Sequence, residues 1–137
     1  MRESMAANTE RLWLAAAIAA APAMPALAAG VACHVTYGGE TRTISAAGTT
    51  QPLAVAPVSI GSYFLFRIVF RQEPADLATI KLTTYADRDE GPAIIHQATY
   101  AYPPAPAVVH GFTGLNFVYE PVRDGELQYW CELKDTP

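Results

Sequence analysis

The chain has 137 residues, a formal net charge of −4 and two cysteines. This length fits one small domain whose core is modest, so that a covalent link would add useful stability. The balance is mildly acidic and no basic cluster is visible along the sequence, which argues against nucleic acid and anionic membranes as partners.

The first 28 residues have the pattern of a secretory signal peptide. Arg2 and Arg11 form a positive n-region, residues 12–21 form an apolar h-region, and residues 26–28 supply a small-x-small cleavage pattern. The sequence therefore predicts cleavage before Ala29 and export, to a bacterial periplasm or to the medium. The h-region is too short to cross a membrane, so we expect no membrane span in the mature chain.

Cleavage changes what the mature chain contains. All three methionines and Trp13 lie in the leader, so residues 29–137 keep a single tryptophan, Trp130. The net charge stays at −4, because the leader holds two acidic and two basic side chains.

Two cysteines, Cys33 and Cys131, remain after cleavage. In an oxidising compartment the pair predicts one disulfide that closes a loop of nearly the whole domain. The alternative is a lipid anchor at Cys33, but glycine at position 30 is a poor fit to that processing site. A metal-binding or catalytic cysteine pair is disfavoured because no C-x-x-C spacing is present.

The N-terminal part of the mature chain predicts a hairpin followed by an irregular segment. Residues 31–37 alternate, Gly38 and Gly39 suit a two-residue turn, and residues 40–46 return as the second strand. Residues 51–60 are interrupted by prolines, which indicates an edge strand or a crossing loop.

The central part predicts three further strands. Residues 62–71 form the strongest pattern, with Phe64, Phe66, Ile68 and Phe70 on one face and two arginines on the other, which marks a solvent side. Residues 79–85 follow with Ile80 and Leu82 inward, and residues 93–102 follow a predicted charged loop at residues 87–92. A short extended piece is predicted at Val108 and Val109.

The last two strands predict a hairpin. Residues 113–120 place Leu115, Phe117 and Tyr119 on one face, residues 121–125 form a turn, and residues 126–133 close the domain. We therefore expect an all-β fold, a small antiparallel β-sandwich of immunoglobulin-like size with about seven or eight strands. A small β-barrel is the alternative.

Histidines are the candidate metal ligands in an exported domain. His34, His96 and His110 are the three in the chain, and no two have the i, i+2 spacing that places neighbours on one strand face. A blue-copper site also needs a weak axial ligand, commonly methionine, and the mature chain has none. These histidines are weak metal candidates, and we expect no cofactor.

Catalytic signatures are missing from the sequence. The acidic run at residues 87–90 lacks the distal ligand of a calcium loop, and no serine lies in a nucleophile elbow. Glu126 and Glu132 form a possible carboxylate pair without a sugar-binding platform around them in sequence. We therefore expect no enzyme and name no catalytic residue.

Trp130 is the leading candidate for binding. Alternation puts it on the polar face of the last strand with Glu126, Gln128 and Glu132, where an exposed aromatic ring suits an interface. Tyr100, Tyr102 and Phe112 are further ligand- or partner-binding candidates, or else core residues at one end of the sandwich.

The predicted function is an exported, non-catalytic binding or accessory module for a protein or a small ligand. The alternatives are a periplasmic copper- or zinc-binding protein that uses the histidines, and a small secreted hydrolase with dispersed carboxylates.

Overall fold

A computed structural model describes residues 15–22, 28–105 and 109–136. Residues 15–22 are exposed and without regular secondary structure. Most of the predicted leader, including the n-region, and Val108 of the predicted extended piece lie outside the described residues. In the described part, no helix has the length and apolar character needed to cross a membrane.

Two four-stranded antiparallel sheets form the domain. In chain order the strands are β1 (Ala28–Tyr37), β2 (Glu40–Ala47), β3 (Val58–Ile60), β4 (Phe64–Arg71), β5 (Thr79–Arg88), β6 (Gly91–Ala101), β7 (Asn116–Glu120) and β8 (Gly125–Thr136). The first sheet has the order β2-β1-β8-β7, and the second has the order β3-β4-β5-β6. The predicted β-sandwich is confirmed.

Alternation along the strands produces the core between the sheets. Phe64, Phe66 and Phe70 of β4 are fully buried, as the period-2 pattern predicts. From the first sheet, Leu127 and Tyr129 of β8 point into the same space and are also fully buried. Burial of large apolar side chains from both sheets is the main stabilising contribution to such a sandwich.

The predicted disulfide is confirmed. Cys33 of β1 lies directly opposite Cys131 of β8, with Cα atoms 4.0 Å apart, and the two sulfurs are bonded. The bond therefore joins neighbouring strands within the first sheet. In immunoglobulin domains the corresponding bond links the two sheets, and the strand order also differs. The protein therefore resembles immunoglobulin domains in its size and in having two packed sheets.

Two loop predictions differ from the structure. Residues 87–92 were expected to form a charged loop, but the ladder pairs Asp87 with Pro92 and Arg88 with Gly91, so that only Asp89 and Glu90 form the turn. Exposed charged side chains do not stop strand pairing when they point to solvent. Val109 lies in a bend and not in an extended piece.

A buried carboxylate joins the two sheets at one end. Glu120 at the end of β7 is fully buried, and its oxygens accept hydrogen bonds from Arg88 Nη2 at 3.0 Å and Arg123 Nε at 3.3 Å. The backbone N–H groups of Val122 and Arg123 also donate to it. Because Arg88 belongs to the second sheet, this network connects the hairpin β5–β6 to the hairpin β7–β8.

Candidate binding face

The outward side of β7 and β8 carries a group of aromatic side chains. We define the aromatic face by Phe117 and Tyr119 of β7 and Trp130 of β8. Phe117 lies opposite Gln128, and Tyr119 lies opposite Glu126 in the β7–β8 register. Aromatic and polar side chains thus adjoin one another on this face.

Phe117 and Tyr119 are more exposed than large apolar side chains usually are. They are 58% and 53% exposed, while their neighbours Val118 and Glu120 are buried. The hydroxyl of Tyr119 donates to Asp124 Oδ1 at 2.5 Å, and this hydrogen bond is the main cause that raises the pKa of Tyr119. The bond also fixes the position of the ring at the edge of the face.

Trp130 is half-buried and supported by two imidazoles. Its ring stacks on His34 of β1 with centroids 4.1 Å apart and an interplanar angle of 24°. The ring of His110 approaches with its centroid 5.8 Å away at 61°. His34 lies directly opposite Trp130 in the β1–β8 register, which explains the close stacking.

His34 is itself held by hydrogen bonds at both ring nitrogens. Its Nε2 lies 3.1 Å from Glu132 Oε2, and its Nδ1 lies 3.2 Å from Thr43 Oγ1. Lys134 Nζ lies 3.4 Å from the other oxygen of Glu132. These contacts hold the imidazole in place beneath the indole, so the Trp130 ring is a preorganised part of the face.

The other three binding candidates belong to the core. Tyr100 and Phe112 pack edge to face with centroids 5.2 Å apart, and Tyr102 packs on Phe70 at 4.8 Å. Phe112 is 9% exposed and belongs to the core cluster, against which both tyrosines pack. The contacts of these residues thus match the alternative in which they are core residues.

The histidines do not form one group. His96 points into the sandwich, where its Nε2 lies 2.8 Å from the hydroxyl of Tyr129, and burial lowers the pKa of His96. His34 and His110 instead contact Trp130. Among the described residues, no group of three or more His, Cys, Asp or Glu side chains is arranged to hold a metal ion.

Glu126 and Glu132 lie too far apart for a glycosidase pair. They occupy outward positions six residues apart on β8, which separates their backbones by about 20 Å at the usual rise of a strand. Catalytic carboxyl pairs are about 5 to 9.5 Å apart. In addition, Glu132 is engaged by His34 and Lys134.

The signal for the aromatic face was present in the sequence only in part. Alternation placed Trp130 outward, and it grouped Phe117 with Tyr119 without indicating whether that group faced solvent. In the structure Val118 and Glu120 occupy the inner side of β7, so Phe117 and Tyr119 face outward.

Fold and face together define a β-sandwich domain with an exposed aromatic surface on one sheet. Neither a scan against protein-family models nor searches of curated proteins and of solved structures found a match to this chain.

Proposed function

We propose that the protein is an exported, non-catalytic binding or accessory module whose aromatic face contacts a protein partner. The observation that carries this proposal is the gathering of three aromatic side chains on the outward side of two adjoining strands, two of them more than half exposed. Tyrosine, tryptophan and phenylalanine are enriched in the cores of protein interfaces, where they bury large areas.

The shape of the site favours a protein over a small molecule. Small ligands bind in concave pockets that cover most of their surface, whereas the outer face of a sheet offers an open surface. Gln128 and Glu126 lie next to Phe117 and Tyr119 and supply the polar groups that commonly surround an apolar interface centre. The His34–Glu132 contact keeps Trp130 in place before binding, which lowers the entropy cost of association.

The disulfide and the leader pattern agree with an exported role. A bond between Cys33 and Cys131 persists in oxidising compartments. The predicted cleavage pattern ends at Ala28, which is also the first residue of β1. Cleavage there would leave the paired part of β1 almost complete.

Site-specific photocrosslinking tests the proposal in the cells that make the protein. The crosslinking amino acid p-benzoylphenylalanine replaces Phe117 in one variant and Ile94 in another. Ile94 is a matched control, because it is 59% exposed on an edge strand of the other sheet. We expect a discrete protein adduct from position 117, and its loss when Trp130→Ala is added.

Equal adducts at the two positions, or none at position 117, would contradict the proposal. An adduct at position 117 that survives Trp130→Ala would remove Trp130 from the interface and leave the β7 side chains as the contact.

A further inference from the structure

Three basic side chains meet on the outer face of the second sheet. Arg67 and Arg71 are outward positions of β4 on either side of Val69, and Lys81 of β5 lies directly opposite Val69. Diagonal neighbours in an antiparallel pair are about 7–8 Å apart, within reach of long side chains. We define the basic cluster by Arg67, Arg71 and Lys81.

A depression of about 250 Å³ lies at the basic cluster. The three cations line it together with Val69, with the hydroxyl-bearing Thr79, and with Pro52 and Leu53 from the short 3-10 helix at Pro52–Ala54. No acidic residue belongs to this lining. The site is thus a small concave surface with positive side chains around an apolar base.

Hydrogen bonds to the backbone hold both arginines in position. Arg67 Nη2 donates to the carbonyl oxygen of Pro52 at 2.6 Å, and Arg71 Nε donates to that of Glu73 at 3.2 Å. Arg67 Nε is buried and has no hydrogen-bond partner in the described part of the protein. The guanidinium groups are therefore oriented in advance, and it is their other Nη donors that remain for a ligand.

The remaining cations of the sandwich are engaged elsewhere. Arg88 and Arg123 bind Glu120, Lys134 binds Glu132, and Arg42 donates to the carbonyl oxygen of Ser59. Across residues 28–105 and 109–136, no ion pair involves a member of the basic cluster. Lys81 lies diagonal to both arginines, so the three like charges repel one another, and an anion bound among them would offset that repulsion.

We propose that the basic cluster binds a phosphoryl group, as a phosphate ester or free phosphate. An arginine fork matches two oxygens of a tetrahedral oxyanion, and lysine adds a point charge to a third. A phosphate monoester carries a charge of about −1.5 to −2 at neutral pH, and it therefore offsets three cations better than the single charge of a carboxylate. The basic cluster lies on the second sheet and the aromatic face on the first, so a phosphoryl ligand and a protein partner can bind at the same time.

Two probes test this proposal and distinguish the source of the group. Inorganic phosphate is titrated by following backbone amide chemical shifts, and cosedimentation is measured with vesicles of phosphatidylglycerol in phosphatidylcholine and of phosphatidylcholine alone. The variants are Lys81→Gln and Arg71→Gln, and the control is Lys134→Gln, which removes a cation from the other sheet. Thermal unfolding of each variant verifies that it folds.

We expect saturable binding that moves the amides of β4 and β5. Loss of one charge-assisted contact should weaken it about tenfold, whereas Lys134→Gln should bind like the wild type. Binding to phosphate alone identifies a soluble phosphorylated ligand, and binding to the phosphatidylglycerol vesicles identifies a lipid headgroup. The proposal is overturned if neither probe binds saturably, or if Lys134→Gln weakens binding as much as Lys81→Gln.

Discussion

Glu120 occupies a buried position, although glutamate side chains are usually exposed to solvent. Among the described residues it is the only charged side chain that is fully buried. A buried charge is tolerated when it is paired and its hydrogen-bonding capacity is met, and here two arginines and two backbone N–H groups meet it. With Glu120 on the inner side of β7, strand alternation places Phe117 and Tyr119 on the outer side.

The same network makes stability depend on pH. Burial alone raises the pKa of Glu120, but the hydrogen bonds from Arg88, Arg123 and Val122 outweigh it and lower the pKa from 4.5 to about 2. Because the folded pKa is depressed, the unfolded state takes up the proton first. The stabilising contribution is therefore present above pH 4.5 and is lost as the pH falls through 2.

Glu120→Gln tests this linkage. The variant should be less stable at neutral pH, because two arginines lose their charged partner, and its stability should vary less than that of the wild type between pH 4.5 and pH 2. Urea unfolding at several pH values measures both effects. Glu126→Gln is the control, since Glu126 is exposed on β8. A wild-type pH dependence retained in Glu120→Gln would assign the acid sensitivity to other groups.

At the scale of the element, the pairing of β1 with β8 is reinforced by the disulfide. The cysteines are 98 residues apart in sequence, and closing a loop of about 100 residues is worth roughly 4.7 kcal/mol in the chain-entropy model. Measured losses on removing native disulfides from small domains are about 2 to 5 kcal/mol.

The double variant Cys33→Ala, Cys131→Ala should therefore lose about 2 to 5 kcal/mol of unfolding free energy. Urea unfolding followed by far-UV circular dichroism measures this loss. Reductant should move the wild-type midpoint toward that of the double variant and leave the double variant unchanged. A double variant as stable as the oxidised wild type would mean that β1–β8 pairing needs no covalent support.

Strands were predictable where one face is apolar and the other is not. The pattern of β4 is of this kind, and Phe64, Phe66 and Phe70 are buried as expected. In β7 the larger apolar side chains are the exposed ones, because Val118 and Glu120 occupy the inner positions. A sequence pattern does not contain the arginine partners of Glu120, which belong to a distant hairpin and an adjoining turn.

The basic cluster could not be predicted from the sequence, for a related reason. Arg67 and Arg71 were predicted to face solvent, but Lys81 joins them only through the β4–β5 register. Register depends on the turn between the strands, and the residues of that turn, which include a 3-10 helix at Ala75–Leu77, do not specify it by local pattern.

At the scale of the whole molecule, the start of β1 and the end of β8 lie side by side. Ala28 at the start of β1 is opposite Thr136 at the end of β8. The geometry resembles that of Tyr37 and Glu40, which Gly38 and Gly39 join in a two-residue turn with φ of 62° and 80°. A short glycine linker from residue 136 to residue 28 should therefore close the chain without strain.

A circular permutant with that linker and with new termini between Asp89 and Glu90 should keep the fold, because both turn residues are exposed. We expect native-like circular dichroism and a formed disulfide under non-reducing conditions. Opening the same chain between Ile68 and Val69 is the control and should prevent folding, since it cuts a central strand. Failure of the first permutant alone would show that the β5–β6 turn is needed for folding.

The position of β8 in the first sheet also determines when the molecule can fold during synthesis. The strands of the second sheet come from one continuous stretch, residues 58–101, and can pair as soon as that stretch leaves the ribosome. The first sheet needs β8, the last 12-residue strand, to join the hairpin β1–β2 to β7. Until β8 emerges, the layer opposite the phenylalanines of β4 lacks Leu127 and Tyr129 and is incomplete. In a chain moved across a membrane during synthesis, the first sheet would thus stay incomplete until β8 has crossed.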